Sequence, residues 1–149
     1  MVTLINFNIV IPFGGNADFL SETVDSVFHQ SYQNWTLTII DDGTGVNLEQ
    51  CLRGYLERIS LIVLPKKIGI VSIFDLAIDE LTGEIGMILG ADDILHRDFL
   101  FHMANAWTKN PEVALIHPRV VTINEKSVVE IGFLDRFKRT IALQISKMC

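Results

Sequence analysis

Cysteine and long apolar runs are scarce in this chain, and their scarcity excludes several classes of protein. Among 149 residues there are two cysteines, Cys51 and Cys149, and neither belongs to a CxxC pair or a Cys/His cluster. We therefore expect no zinc site, and a reducing, cytoplasmic compartment fits best. No run of about 18 apolar residues occurs, so no membrane-spanning helix is predicted. The first residues lack a basic region and a cleavage site, so we expect no signal peptide.

Positive charge is also sparse, and the common phosphate-binding motifs are missing. Lys and Arg number 12 against 18 Asp and Glu, which gives a net charge of −6. Nucleic-acid partners require clustered basic side chains, so we expect no nucleic-acid partner. The sequence has no GxxxxGK[ST] P-loop, no GxGxxG after its first apolar run and no GxSxG elbow. Classes of enzyme that depend on these motifs are therefore not indicated.

What the chain does have is a regular alternation of short apolar runs and amphipathic stretches. A hydrophobic content of 49% with 20% charged residues is typical of a globular chain. The pattern predicts strands over 8–11, 35–40, 60–64, 85–89 and 113–117. It predicts helices over 18–31, with Asp18 as N-cap, from 47 onward, over 70–81 and around 100–107. This order favours an α/β fold, a three-layer α/β/α sandwich with a mostly parallel sheet, as one domain over 1–149.

The C-terminal part departs from this alternation. A hairpin is predicted with strands over 120–123 and 128–131. Residues 134–149 then read as an amphipathic helix whose apolar positions are Leu134, Phe137, Ile141, Ile145 and Met148. Its basic residues, Arg136, Lys138, Arg139 and Lys147, lie elsewhere around the helix. Such a helix suits either a membrane surface or a second subunit, and we favour self-association as a homodimer.

Two aspartate pairs follow two of the predicted buried strands. Asp41-Asp42 comes directly after TLTII, and Asp92-Asp93 comes two residues after IGMIL. Ligands of parallel sheets bind at the carboxyl ends of the strands, so both pairs are expected at the binding edge. Four carboxylates on one edge repel one another unless a cation or hydrogen-bond donors lie among them.

Each pair also has a simpler interpretation. DDGT is an ordinary turn sequence, and one residue of Asp92-Asp93 could be the N-cap of the next helix. A phosphorelay receiver domain also clusters aspartates at strand ends. That family has its acidic pair after the first strand and a lone Asp after the third. Here Phe13-Gly14 and Pro65-Lys66 stand at those two places, which disfavours a receiver domain.

Five segments together resemble the N-terminal, nucleotide-binding part of family 2 glycosyltransferases of the GT-A fold. They are IVIPF, ETVDSVFHQSYQNW, IIDDGT, KKIGI and TGEIGMILGADDILHRDFL, in the family's order and spacing. The resemblance implies inverting transfer from a nucleotide-diphosphate sugar, with a UDP-sugar favoured, to an unknown saccharide or lipid-linked acceptor. It implies Mg²⁺ or Mn²⁺ as cofactor, because a divalent cation can bridge the phosphates as Lewis acid. A role in polysaccharide biosynthesis follows from the same resemblance.

The resemblance also assigns roles to the aspartates. Asp93 would bind the metal, and Asp92 would contact the ribose or share the metal. Asp42 would accept a hydrogen bond from the nucleobase, while Asp41 helps to shape that turn. Gly90 stands where the family most often has the first Asp of DxDD.

Other positions agree with the family less closely. The backbone at Pro12-Phe13 would pack against the nucleoside, and Lys67 would contact a phosphate or the base. Lys67 replaces a usual Asn, and Phe74-Asp75 replaces a usual Arg-Asn pair.

No catalytic base is identified, because none of the carboxylates after Pro118 lies in a recognisable motif. The resemblance implies that residues 1–149 lack the acceptor-binding half. A catalytically weak or inactive binding or assembly module is therefore the alternative. The expected location is cytoplasmic, with peripheral attachment at the inner face of the membrane left open.

Overall fold

The computed structural model describes residues 5–116, 118, 120–124 and 128–130. The chain divides into two compact units, Met1–Glu112 and Val113–Cys149, and each is described by itself. The single domain over 1–149 stays a prediction.

The first unit is a parallel sheet with helices between its strands. Its strands are β1 (Phe7–Phe13), β2 (Trp35–Asp41), β3 (Ser60–Val63) and β4 (Ile85–Ile88), and its helices are α1 (Leu20–Phe28), α2 (Leu48–Cys51), α3 (Ile70–Asp79) and α4 (Phe99–Lys109). A short 3-10 helix lies at Leu56–Arg58. The strands pair in parallel in the order β3-β2-β1-β4. The predicted α/β fold with a mostly parallel sheet is confirmed.

The helices lie on both faces of the sheet because successive side chains of a strand point to opposite faces. Ile9 and Ile11 of β1 belong to the larger core, which also contains buried residues of α1, α2 and α4. Val10 points the other way and packs with Ile73 and Ala77 of α3. Every residue of β1 is buried, which explains why the run reads as apolar without alternation.

Three local predictions differ from the structure. Helix α1 begins at Leu20 without a side-chain cap, because the Asp18 carboxylate instead accepts a hydrogen bond from the Asn16 side chain. Asn47 does cap α2, accepting from the Gln50 N–H at 3.1 Å, but this helix ends at Cys51. The strand predicted over 113–117 is wrong for the described residues 113–116. None of them is in a strand, and Leu115 is 82% exposed.

The second unit contains the antiparallel pair β5 (Thr122–Ile123) and β6 (Val129–Glu130). The predicted hairpin is therefore confirmed, with shorter strands. The predicted C-terminal helix over 134–149 lies outside the described residues. Within the part of the chain that is described, no helix is long and apolar enough to cross a membrane.

Candidate functional site

The sheet brings the two acidic loops to one edge. Phe13 and Asp41 are paired at the carboxyl ends of β1 and β2, and the Asp42 N–H donates to the Phe13 carbonyl at 2.9 Å. The Leu89 N–H donates to the carbonyl of Val10 at 3.0 Å, so β4 leaves the sheet toward the same edge. The segments that follow β1, β2 and β4 therefore begin at one edge of the sheet, where ligands of parallel sheets bind.

Asp41 shapes the loop after β2. Its carboxylate is buried and accepts a hydrogen bond from the Thr44 N–H at 3.0 Å. Gly43 has a φ of +60°, and a Cβ added there would lie 2.5 Å from the carbonyl carbon of Lys66. The turn interpretation thus holds for Asp41, and the turn is packed directly against the loop that follows β3.

Asp42 has a second, longer-range partner that sequence reasoning missed. Its buried carboxylate accepts the Ile68 N–H at 2.6 Å and the Gly69 N–H at 3.1 Å, one on each oxygen. Gly69 is the N-cap residue of α3 and has no side chain with which to cap the helix. A carboxylate from the loop after β2 therefore satisfies amide groups at this helix start, where negative charge is also favoured by the helix dipole.

After these two hydrogen bonds the Asp42 carboxylate can accept only a few more from a ligand. A carboxylate oxygen has two lone pairs, so each oxygen of Asp42 retains one further acceptor site. Asp41 has hydrogen bonding from the described residues on one oxygen only. The proposed contact with a nucleobase stays a prediction, and the structure places both aspartates beside the loop where it would occur.

Lys67 connects two of the loops. Its ammonium group donates to the carbonyl of Gly14 at 3.4 Å, reaching from the loop after β3 to the loop after β1. Pro12 and Phe13 are buried, and the Phe13 side chain belongs to the core, so the backbone is what this segment offers at the edge. Among the predicted site residues Lys67 is the one with a positive charge, and its contact with Gly14 places that charge beside the exit of β1.

Asp92 and Asp93 lie in a turn closed by the Asp93 N–H, which donates to the Gly90 carbonyl at 3.1 Å. Both are exposed. A Cβ added to Gly90 would lie 2.6 Å from Asp93 Oδ2 and 3.2 Å from Asp92 Oδ1. Both carboxylates therefore fold back over the Gly90 Cα and come close to each other. The N-cap interpretation of either residue is wrong, because α4 begins at Phe99.

Helix α1 holds this acidic loop in place. Thr23 Oγ1 donates to the Ala91 carbonyl at 3.0 Å, and the Leu95 N–H donates to Ser26 Oγ at 3.1 Å. The buried Gln30 side chain donates to the His96 carbonyl at 2.8 Å and accepts from the N–H at the second residue of α4 at 3.0 Å. These three polar residues lie in the segment ETVDSVFHQ. Their spacing on one side of a helix was the signal that could have identified them.

The donor set fits a divalent cation that is shared with a ligand. No group of three or more His, Cys, Asp or Glu side chains able to hold a metal occurs among the described residues. Mg²⁺ is usually held by one or two carboxylates, with phosphate oxygens and water completing its coordination. Asp92 and Asp93 supply two hard oxygen ligands of this kind, which suits a cation brought together with phosphates.

A parallel α/β sheet with an acidic turn at its carboxyl edge is typical of a ligand-binding α/β domain, and comparison with known proteins identifies the family. The model of the family described as Glycosyl transferase family 2 matches residues 8–143. The chain belongs to this family and is a glycosyltransferase by family.

Similar proteins support the same assignment. Uncharacterized glycosyltransferases of Rickettsia typhi and Rickettsia prowazekii are 26% and 24% identical over 102 residues, which is 68% of this chain and 32% of each relative. Residues 1–349 of S. aureus TarS in complex with UDP have a TM-score of 0.65 at 16% identity, with coverage of 72% of this chain and 33% of that TarS fragment. A Pyrobaculum calidifontis mannosyltransferase with GDP-Man and Mn²⁺ has a TM-score of 0.60 at 21% identity, with coverage of 72% and 33%. The GT-A fold is thereby shown, and the chain spans about a third of the length of the curated relatives that it matches.

Proposed function

We propose that the chain binds a nucleotide-diphosphate sugar, with a UDP-sugar favoured, together with Mg²⁺ or Mn²⁺ at the carboxyl edge of its sheet. The bound donor would serve inverting transfer to a saccharide or lipid-linked acceptor. The observation that carries the proposal is the convergence of the Asp92 and Asp93 carboxylates over Gly90. Structures of similar fold contain UDP, UDP-GlcNAc, or GDP-Man with Mn²⁺, which supports a donor of this class.

Different residues at this edge of the sheet would contact different parts of the donor. Asp93 would hold the cation, with Asp92 on the cation or the ribose. Lys67 would contact a phosphate or the base. A bound cation would offset the charge that develops on the departing diphosphate. Because no general base is identified, no residue is assigned the deprotonation of the acceptor.

The nucleoside would occupy the other side of the edge. The backbone at Pro12-Phe13 would pack against it, and Asp42 would accept a hydrogen bond from the base on a remaining lone pair, in the turn that Asp41 shapes. The phosphates would then lie between the segments that contact the nucleoside, at Pro12-Phe13 and Asp41-Asp42, and the acidic turn at Asp92-Asp93.

Thermal unfolding with and without ligand tests donor binding. UDP or a UDP-sugar with Mn²⁺ should stabilise the chain by about 2.7 kcal/mol at a hundredfold excess over Kd. Asp93→Asn should remove most of this gain. Asp98→Asn is the matched control, because Asp98 lies in the same loop and makes no side-chain cap with α4. If no nucleoside diphosphate with a divalent metal shifts the transition, the proposal fails, and a larger shift with GDP would correct the choice of base.

A binding or assembly module without transfer activity is the second candidate. It is favoured by Phe74 and Asp75, which stand where the family often has Arg and Asn and which are both exposed on α3. Release of UDP and an intact-mass assay of acceptor products separate the two functions. Donor binding without turnover on any acceptor tried would support the second.

The remaining expectations belong to this proposal. A single domain over 1–149 rests on the alternation of strands and helices, and a part in polysaccharide biosynthesis rests on the family resemblance. A cytoplasmic location, with peripheral attachment at the inner face of the membrane, rests on cysteine usage and on the basic C-terminal sequence. Fractionation of cells that express the tagged 149-residue chain would check the location.

A further inference from the structure

Helix α3 carries an apolar surface wider than the sheet beneath it can cover. Ile73 and Ala77 are buried against the sheet. Four other apolar residues of the helix remain exposed: Ile70 (70%), Val71 (71%), Phe74 (39%) and Ile78 (56%). At 3.6 residues per turn these four lie within about 100° of one another around the helix. They form one continuous surface, called here the α3 stripe.

The α3 stripe has a negative border. Asp75 and Asp79 follow Val71 at intervals of four residues, so they form a row along one side of the stripe. Both are exposed, and neither forms an ion pair with a described residue. The helix carries no basic residue between Ile70 and Asp79. A partner that covers the stripe should therefore be apolar with basic residues at its side.

Residues 134–148, which lie outside the described part of the chain, have the complementary composition. Their apolar residues recur at a helical spacing: Leu134, Phe137, Ile141, Ile145 and Met148. Arg136, Lys138, Arg139 and Lys147 oppose a single acidic residue, Asp135. Two α3 stripes cannot pair favourably with each other, because their acidic borders would repel.

We propose that the α3 stripe is the docking surface for residues 134–148 of a second copy of this chain. An exchange of this kind is self-complementary and gives a closed dimer with two identical contacts. Burial of the apolar residues drives the association, and the basic residues of the segment facing Asp75 and Asp79 fix its orientation.

Sedimentation equilibrium on the 149-residue chain tests the proposal. The wild type should be a concentration-dependent dimer. Phe74→Gln with Ile78→Gln should raise the dimer dissociation constant by roughly tenfold to a hundredfold, from the apolar area removed. Phe101→Gln is the control, because Phe101 is a comparably exposed aromatic residue on α4, and it should leave the constant unchanged.

Reversing the charges on both sides of the proposed contact gives a second test, whose result does not depend on whether one particular variant folds. Asp75→Lys with Asp79→Lys, and separately Lys138→Glu with Arg139→Glu, should each weaken the dimer. Combining the two pairs should restore it, with circular dichroism checking that each variant is folded. A monomeric wild type, a dimer insensitive to the Phe74 and Ile78 changes, or the absence of rescue would overturn the proposal. So would a monomer that sediments with anionic lipid vesicles, since that result assigns the segment to a membrane surface.

Discussion

Replacing Gly90 by Ala should separate the acidic turn's role in ligand binding from its role in folding. The added methyl group would lie 2.6 Å from Asp93 Oδ2, so the carboxylate must move. Asp93 is an exposed, flexible side chain that can move at small cost. Gly90 does not adopt a left-handed φ, so Ala fits the backbone without strain. The unliganded chain should therefore keep its free energy of unfolding within about 1 kcal/mol.

Ligand binding should respond much more strongly. Displacing a group that positions a metal ligand typically lowers metal affinity by about 10- to 100-fold. At a ligand concentration that stabilises the wild type by about 2.7 kcal/mol, the variant would then gain only about 0.4 to 1.4 kcal/mol. Thermal unfolding with UDP and Mn²⁺, beside isothermal titration of the same pair, measures both quantities.

Gly54→Ala is the matched control, because a Cβ there meets no atom within 4 Å. It should bind the donor like the wild type. The reasoning is refuted if Gly90→Ala binds UDP and Mn²⁺ with unchanged affinity. It is refuted equally if the variant loses more than about 2 kcal/mol of stability without ligand, since the glycine would then support the fold.

Three further changes probe the same edge and the core beneath it. Asp42→Asn supplies one acceptor oxygen where the carboxylate has two, so one of the two bonded N–H groups loses its partner. A loss of about 1–3 kcal/mol in urea unfolding is expected, and an unchanged midpoint would contradict the contact. In Gly43→Ala the alanine would have to adopt a left-handed φ, with its Cβ 2.5 Å from the backbone of Lys66. The free energy of unfolding should therefore fall by about 1–3 kcal/mol or more, and a smaller loss would contradict this tight packing of the turn. Burial, and then a hydrogen bond and the charge of Asp25, raise the pKa of Tyr55 above its usual 10.0. Because the folded state holds the phenol proton of Tyr55 more tightly, this group's contribution to the free energy of unfolding is complete below pH 10.0 and is lost as pH rises through the raised pKa. Ultraviolet titration of the wild type beside Tyr55→Phe measures the pKa.

The sheet and its binding edge could be predicted because they depend on local patterns. The apolar runs before Asp41 and Asp92 are parallel strands on either side of β1, and this pairing alone brings their ends to one edge. The expectation of buried strands is wrong for β4, none of whose four residues is buried. The strand expected over 113–117 shows the limit of this reasoning. Val113 and Leu115 have the composition of a strand, but whether a run pairs depends on a neighbouring strand that lies elsewhere in the chain.

The contacts that shape the site are invisible in the sequence because they join distant residues. Asp42 reaches Ile68 and Gly69 across 26 and 27 positions, and Gln30 reaches Leu100 across 70. Gly90 is the clearest case. The sequence shows it only as a departure from DxDD, whereas the structure shows that in this conformation two carboxylates occupy the space a side chain would need.

The attachment of the acidic turn to α1 has a consequence for the thermodynamics of binding. Thr23 fixes the turn at Ala91 and Ser26 fixes it again at Leu95, so only residues 92–94 lie between the two attachments. A donor that arrives at Asp92 and Asp93 meets a segment whose backbone entropy was already largely lost during folding. Little ordering should therefore accompany association, and differences in affinity between donors should reflect the contacts that each donor makes.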